Sequence, residues 1–240
     1  MLKHSATTRI SVGEHLRPLS SVLLFLLFID AVLIALFLRW AYVAHHELTE
    51  SVIYGRSIFS LNEGGLTELW GHAKLAAAVG LIWLVSRVRN PAYYRAIAAA
   101  MLVMLLSDSL QLHKRLVRLV INFGGFSGQA EPLIDPVIKL ALIVTPATAA
   151  VLAFWRLPEQ DRGLAALAAA PLLLLGFCAG VMDFFHVMAT RYLQGGRTIA
   201  SLIEEGGEGL VATAVLVTAI FIHARVRGRD QVSALSRSPI

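Results

Sequence analysis

The chain has 240 residues, 57% of them apolar, with a mean hydropathy of +0.68 and only 15% charged side chains. A soluble domain carries roughly 45–50% apolar and about 25% charged residues, so this composition excludes an ordinary water-soluble globule. The net charge of +5 comes without a nucleic-acid recognition motif and sits in short basic tracts beside apolar runs, which argues for membrane topology signals and against nucleic acid as a partner.

A helix needs about 20 mostly apolar residues to cross the hydrocarbon core. Six stretches meet that length and predict an all-α polytopic membrane protein, a bundle of six transmembrane helices within 20–224. The spans fall at about 20–40, 69–88, 94–112, 133–155, 164–189 and 199–223. They are preceded by a cytoplasmic segment, 1–19, and followed by a polar cytoplasmic tail, 225–240, expected to be disordered. The first span follows Lys3, Arg9 and Arg17 as a signal peptide would, but its apolar region is too long and no small-residue cleavage site follows Trp40. Asp30 lies alone near its middle, read either as part of a proton path or as a hydrogen-bond partner for a neighbouring helix.

The outer loop that follows holds His45, His46 and Glu47, an accessible cluster that reads as solvated loop. The second span opens with Glu68, His72 and Lys74, and Arg87 to Pro91 separate it from the third. Asp108 lies near the end of the third span and His113 just beyond it. The stretch Arg115-Leu-Val-Arg-Leu-Val-Ile-Asn-Phe123 mixes basic and apolar residues as an interfacial helix does, and the glycines of 124–128 then read as a break. The fourth span carries Asp135 and Lys139, and the fifth Cys178, Asp183 and His186. With one cysteine, an internal disulfide and a Cys-rich zinc site are both excluded, and Cys178 reads as a packing residue. The sixth span has Glu204, Glu205 and Glu208 in its outer half and an interfacial His223 at its inner end.

Orientation follows from the alternation of Lys and Arg. The N-terminus, the second and fourth loops and the C-terminus together hold 12, against 7 on the other side, a bias toward both termini inside. Lys114, Arg115 and Arg118 dissent from that rule. Trp40, Tyr42, Trp70 and Tyr192 then fall at the outer boundary, and Tyr93, Tyr94 and Trp155 at the inner one.

Ionisable groups within a span cost several kcal/mol and mark function by default. At a rise of about 1.5 Å per residue, His72, Asp108, Asp183 and Glu204 to Glu208 all fall in one layer in the outer half of the bundle. Three carboxylates within five residues of an apolar helix repel one another unless a cation, protons or basic side chains compensate. Glu68 and His72 are i,i+4, while Asp183 and His186, like Glu205 and Glu208, are i,i+3. Each pair therefore shares a helix face. These spacings let one helix offer two ligands to an ion, as in carboxylate-bridged centres of helical bundles. Asp108 and His113, at i,i+5, converge only if the helix unwinds between them or if they act in different shells.

Carboxylate and imidazole without thiolate suit zinc, iron or manganese. The expected metal ligands are Asp108, His113, Asp183, His186, Glu204, Glu208 and His72, with Glu205 and Glu68 as candidate general bases. Lys74 and Lys139 read as snorkelling side chains or as counter-ions of these acids.

Glu68 to Lys74, Ser107-Asp-Ser-Leu-Gln-Leu-His113, Gly180-Val-Met-Asp-Phe-Phe-His186 and Ile203-Glu-Glu-Gly-Gly-Glu208 together resemble an uncharacterised family of small bacterial multi-span proteins. That resemblance covers most of the span region and implies the bacterial inner membrane. In the family pattern an acidic residue tends to follow the histidine where this chain has Lys114. A distant similarity of site design, zinc held within a helical bundle, links the chain to the alkaline ceramidase and adiponectin-receptor-like membrane hydrolases. The chain departs from that group in having six rather than seven core spans, no Ser-x-x-x-His and no terminal His-x-x-x-His. The resulting expectation is a metal-dependent membrane enzyme, hydrolase or oxidoreductase, acting on a lipid or amphiphilic substrate. Its alternatives are a metal-ion or proton transporter and a structural subunit of a membrane assembly.

Overall fold

The computed structural model describes residues 12–59, 65–126, 131–177 and 196–235, and among these it is all-helical. The elements in chain order are α1 (Val12–His45), a short 3-10 turn (Ser57–Phe59), α2 (Leu66–Ser86), α3 (Pro91–Ser109), α4 (Leu112–Gly124), α5 (Glu131–Trp155), α6 (Glu159–Phe177) and α7 (Gly196–Leu235).

Among the described residues, three helical segments are long and apolar enough to cross a membrane: Leu19–His45 in α1, all of α2, and Gly206–Gly228 in α7. The consecutive helices α3 and α4 would add a fourth if taken as one span, but they are bent by 78°. The outer surface supports a lipid environment independently. Leu24, Phe25 and Phe28 of α1, Leu152 and Trp155 of α5, and Leu173 of α6 are each more than half exposed. A water-soluble monomer does not present large apolar side chains on this scale around its circumference.

Inside, α2 packs against α3 and α7, α3 against α5, and both α1 and α6 against α7. Small buried residues make the close contacts. Ala78 of α2, Ala98 of α3, Ala165 and Ala168 of α6, and Ala212 and Ala219 of α7 all lie in the core, where a small side chain lets helix axes approach. Ile82, Val85, Met101, Val215 and Ile222 fill the space between them.

The end of the bundle where α2, α3 and α6 meet is fixed by polar contacts. Asn90 adopts a left-handed conformation (φ 42°) directly before Pro91, the first residue of α3. The Arg89 guanidinium and the Asn90 amide both donate to the Asp161 carboxylate in the first turn of α6, Asn90 Nδ2 at 2.8 Å. Tyr93 Oη donates to the Ala165 carbonyl at 2.6 Å and meets Tyr94 edge-on.

Two helices outrun their expected limits. α1 begins at Val12 rather than near 20, and α7 runs through Leu235, into the tail expected to be disordered. Hydropathy ends where charges begin, but helix propagation needs only backbone hydrogen bonds and tolerable side chains. Arg225, Arg227 and Arg229 are good helix formers.

Candidate functional site

α2 starts at Leu66 behind Gly65, whose extended backbone (φ −76°, ψ 164°) carries the chain into the helix. Glu68 therefore stands in the first turn, where the helix dipole favours a carboxylate. His72 follows on the same face, with its Nε2 3.8 Å from Glu68 Oε1. Asp108, 36 residues away on the last turn of α3, brings Oδ2 to 2.8 Å from the same nitrogen.

Ligand atoms of Glu68, His72 and Asp108 lie within 4.8 Å of one another. An ion about 2.1 Å from each nitrogen and oxygen donor in a tetrahedral site needs donors roughly 3.4 Å apart. The Glu68–His72 separation nearly meets that distance. The His72–Asp108 hydrogen bond has to open by some tenths of an ångström, a rotamer adjustment for a carboxylate that is itself 61% exposed. Glu68 and His72 are mostly buried, at 17% and 15%, so the cluster is open on its Asp108 side. Three such donors with one open side could hold an ion and leave a position to water. Glu208, half-buried on α7, lies close enough to His72 to interact with it electrostatically.

The structure also describes the path between Asp108 and His113. α3 stops at Ser109, and the chain turns through Leu110 and Gln111, the latter left-handed at φ 48°, ψ 41°, before α4 begins at Leu112. The i,i+5 spacing is thus interrupted by an unwound corner, the condition under which the two residues can converge. The His113 side chain lies outside the described residues, as do the side chains of Glu204 and Glu205, although all three positions are within helices. Asp183, His186 and Cys178 lie wholly outside the described residues, and the side chains of Asp135 and Lys139 likewise.

The opposite face of α2 builds a second polar group. Asp30 and Lys74, 5% and 1% exposed, form an ion pair with Nζ 2.8 Å from Oδ1. Lys74 Nζ donates further to the Gly209 carbonyl at 2.6 Å and to Thr213 Oγ1 at 2.9 Å, using all three of its protons. Asp30 also accepts from Trp70 Nε1 at 2.9 Å on Oδ1 and from Thr213 Oγ1 at 2.5 Å on Oδ2. The Lys74 ammonium sits 5.6 Å from the Trp70 ring centroid, a cation–π contact. α1, α2 and α7 are thereby tied through one saturated network.

Sequence reasoning singled out Asp30 and Lys74, read Trp70 only as a boundary aromatic, and did not single out Thr213 or the Gly209 carbonyl. Trp70 and Lys74 share a face at i,i+4, which is a usable signal; a lone threonine in an apolar helix gives none. Arg89 and Asn90, which the sequence marks only as a boundary between spans, form a joint between helices with Asp161. His45 and His46 are exposed at the end of α1 with their rings in contact, and Glu47 is exposed beside them with φ 49°.

Comparison with curated proteins and with solved structures gives no match, so the likeness to ceramidase-type hydrolases has no support from relatives. A family model described as a domain of unknown function, DUF8692, matches residues 24–224, from within α1 to within α7. All-helical among its described residues, with helices long and apolar enough to cross a membrane, the chain belongs to the DUF8692 family.

Proposed function

We propose that this protein is a metal-dependent membrane enzyme acting on a lipid or other amphiphilic substrate, with Glu68, His72 and Asp108 holding a divalent ion. The observation that carries this reading is the meeting of Glu68, His72 and Asp108 from two helices around one imidazole nitrogen. Two carboxylates and one imidazole suit zinc, iron or manganese. Such an ion polarises a carbonyl or phosphoryl oxygen and acidifies a bound water. The exposed side of Asp108 leaves room for water and substrate. Glu208, near enough to influence His72, would accept a proton or supply a further ligand. Glu204, Glu205, His113, Asp183 and His186 are the additional donors proposed for the same layer.

The proposed setting is the bacterial inner membrane, with six crossings and both termini inside. α3 and α6, at 19 residues each, extend roughly 28 Å, close to the hydrocarbon thickness of about 30 Å. α5 is longer, at 25 residues. The 12-to-7 bias of basic residues supports the orientation.

Transport would draw on Asp30 as a deeper step for an ion, but its carboxylate is occupied by Lys74, Trp70 and Thr213. A structural subunit is the stronger second reading, because that network ties helices with every ammonium proton in use. Metal analysis of the purified chain separates the two. The enzyme reading expects near-stoichiometric zinc, iron or manganese, lost in His72→Ala and Asp108→Ala while the helical content stays. Folded protein that binds none of these metals when they are supplied refutes the metal centre.

A further inference from the structure

α4 is divided sharply by character. On a helical projection Leu116, Val117, Val120 and Phe123 occupy one side, while Lys114, Arg115, Arg118 and Asn122 occupy the other. Val117 is buried against the bundle, whereas Val120 and Phe123 are exposed, Phe123 at 88%. The 78° turn at Gln111 lays α4 nearly across the direction of α3, and hence close to the membrane plane when α3 stands along the normal.

Beneath the apolar side, α3, α4 and α5 enclose an open groove of about 450 Å³, lined by Val103, Leu116, Val120, Ile138, Ala141 and Leu142. Ligand sites span roughly 300–1,000 Å³, so the groove has the volume for a chain-like apolar ligand. Its lining offers almost no polar atom to such a ligand, which restricts the occupant to hydrocarbon. Arg115 and Arg118 are exposed on the polar side, one helix diameter away. Guanidinium groups pair with phosphate oxygens through two parallel hydrogen bonds.

We propose that α4 and the groove beneath it form a binding site for an anionic phospholipid, with Arg115 and Arg118 holding the phosphate and the α3–α4–α5 groove seating an acyl chain. The amphipathic division of α4 places charge at headgroup level and groove at chain level, in the order in which a phospholipid presents them. The site also gives a reason for basic residues on the side of the membrane that carries fewer of them. It is separate from the Glu68–His72–Asp108 cluster and does not depend on that cluster holding a metal.

The test reconstitutes the full chain in nanodiscs of phosphatidylglycerol and phosphatidylcholine with identical chains. The lipid retained after gentle release is then counted by native mass spectrometry. Each basic residue near an anionic surface is worth about a fivefold preference, so wild type, with two, is expected to retain phosphatidylglycerol about 25-fold over phosphatidylcholine. Arg115→Gln with Arg118→Gln removes that preference, whereas Arg115→Lys with Arg118→Lys keeps part of it. Ala141→Trp, which fills the groove, lowers retention of both lipids. Equal retention of the two lipids by wild type, or an unchanged preference in the double glutamine variant, overturns the headgroup site. Full retention in Ala141→Trp overturns the chain site. The lysine pair keeps the test decisive should the glutamine pair fail to fold.

Discussion

Replacing Lys74 with methionine keeps the length of the side chain and removes its charge from a fully buried position. Three hydrogen bonds disappear together, to Asp30, Thr213 and the Gly209 carbonyl. The Asp30 carboxylate is left with Trp70 and Thr213 as donors and no counter-ion. Removing one member of a buried ion pair costs about 3–5 kcal/mol, and an uncompensated aspartate near the centre of a span costs a similar amount, about 2.5–3.5 kcal/mol. For a chain of this length each kcal/mol lowers the Tm by roughly 2–4 °C, so a drop of about 10 °C is expected. Tryptophan fluorescence during heating in detergent reads it directly. The paired change Asp30→Leu with Lys74→Met removes both charges, and buried pairs replaced by apolar residues are often neutral. Thr213 then has the Gly209 carbonyl, four residues back on its own helix, as an acceptor. The double variant should therefore recover most of the lost stability. A Lys74→Met protein melting within a degree or two of wild type refutes the reasoning, as does a double variant no more stable than the single.

Tyr93→Phe removes only the hydrogen bond to the Ala165 carbonyl and should cost about 1 kcal/mol, read in the same melting experiment with no change in bound metal. Asp161→Ala leaves Arg89 and Asn90 without their shared carboxylate at the joint of α3 and α6. A cost of roughly 1–3 kcal/mol is expected, with limited proteolysis showing faster cleavage in the 87–90 turn.

The face of α2 that carries Glu68 and His72 was legible because i,i+4 spacing belongs to the helix alone. Their partner Asp108 was legible as a polar residue at matching depth but not as a contact, since depth follows from counting residues whereas contact requires knowing that α2 packs on α3. Asp30 with Lys74 marks the opposite limit. They lie 44 residues apart, and neither the sequence of α1 nor that of α2 states which acid meets which base. Hydropathy located the apolar stretches, and α1 and α7 continue as helices past the edges of those stretches. It also read the third span through 112, whereas the backbone breaks at Leu110 and Gln111. Only a left-handed glutamine marks that break, and glutamine is not a residue whose presence announces such a conformation.

α2 connects the two polar groups. Glu68 and His72 lie about half a helical turn away from Trp70 and Lys74, so this helix turns its acid–imidazole face to α3 and its cationic face to α1 and α7. The Lys74 bond to the Gly209 carbonyl fixes the height of α7 against α2 one residue from Glu208, the carboxylate that interacts with His72. A slip of α7 by one residue would move Glu208 by about 1.5 Å along the axis and 100° around it, enough to take it out of reach of the imidazole. On the proposed reading, the buried ion pair would also set the register on which Glu208 serves the cluster. The Asp30→Leu with Lys74→Met variant isolates this effect, since it restores stability without restoring the Gly209 bond. If register matters, that variant should melt like wild type yet bind metal more weakly. Wild-type metal affinity in a protein lacking the pair would leave the network with a purely structural role.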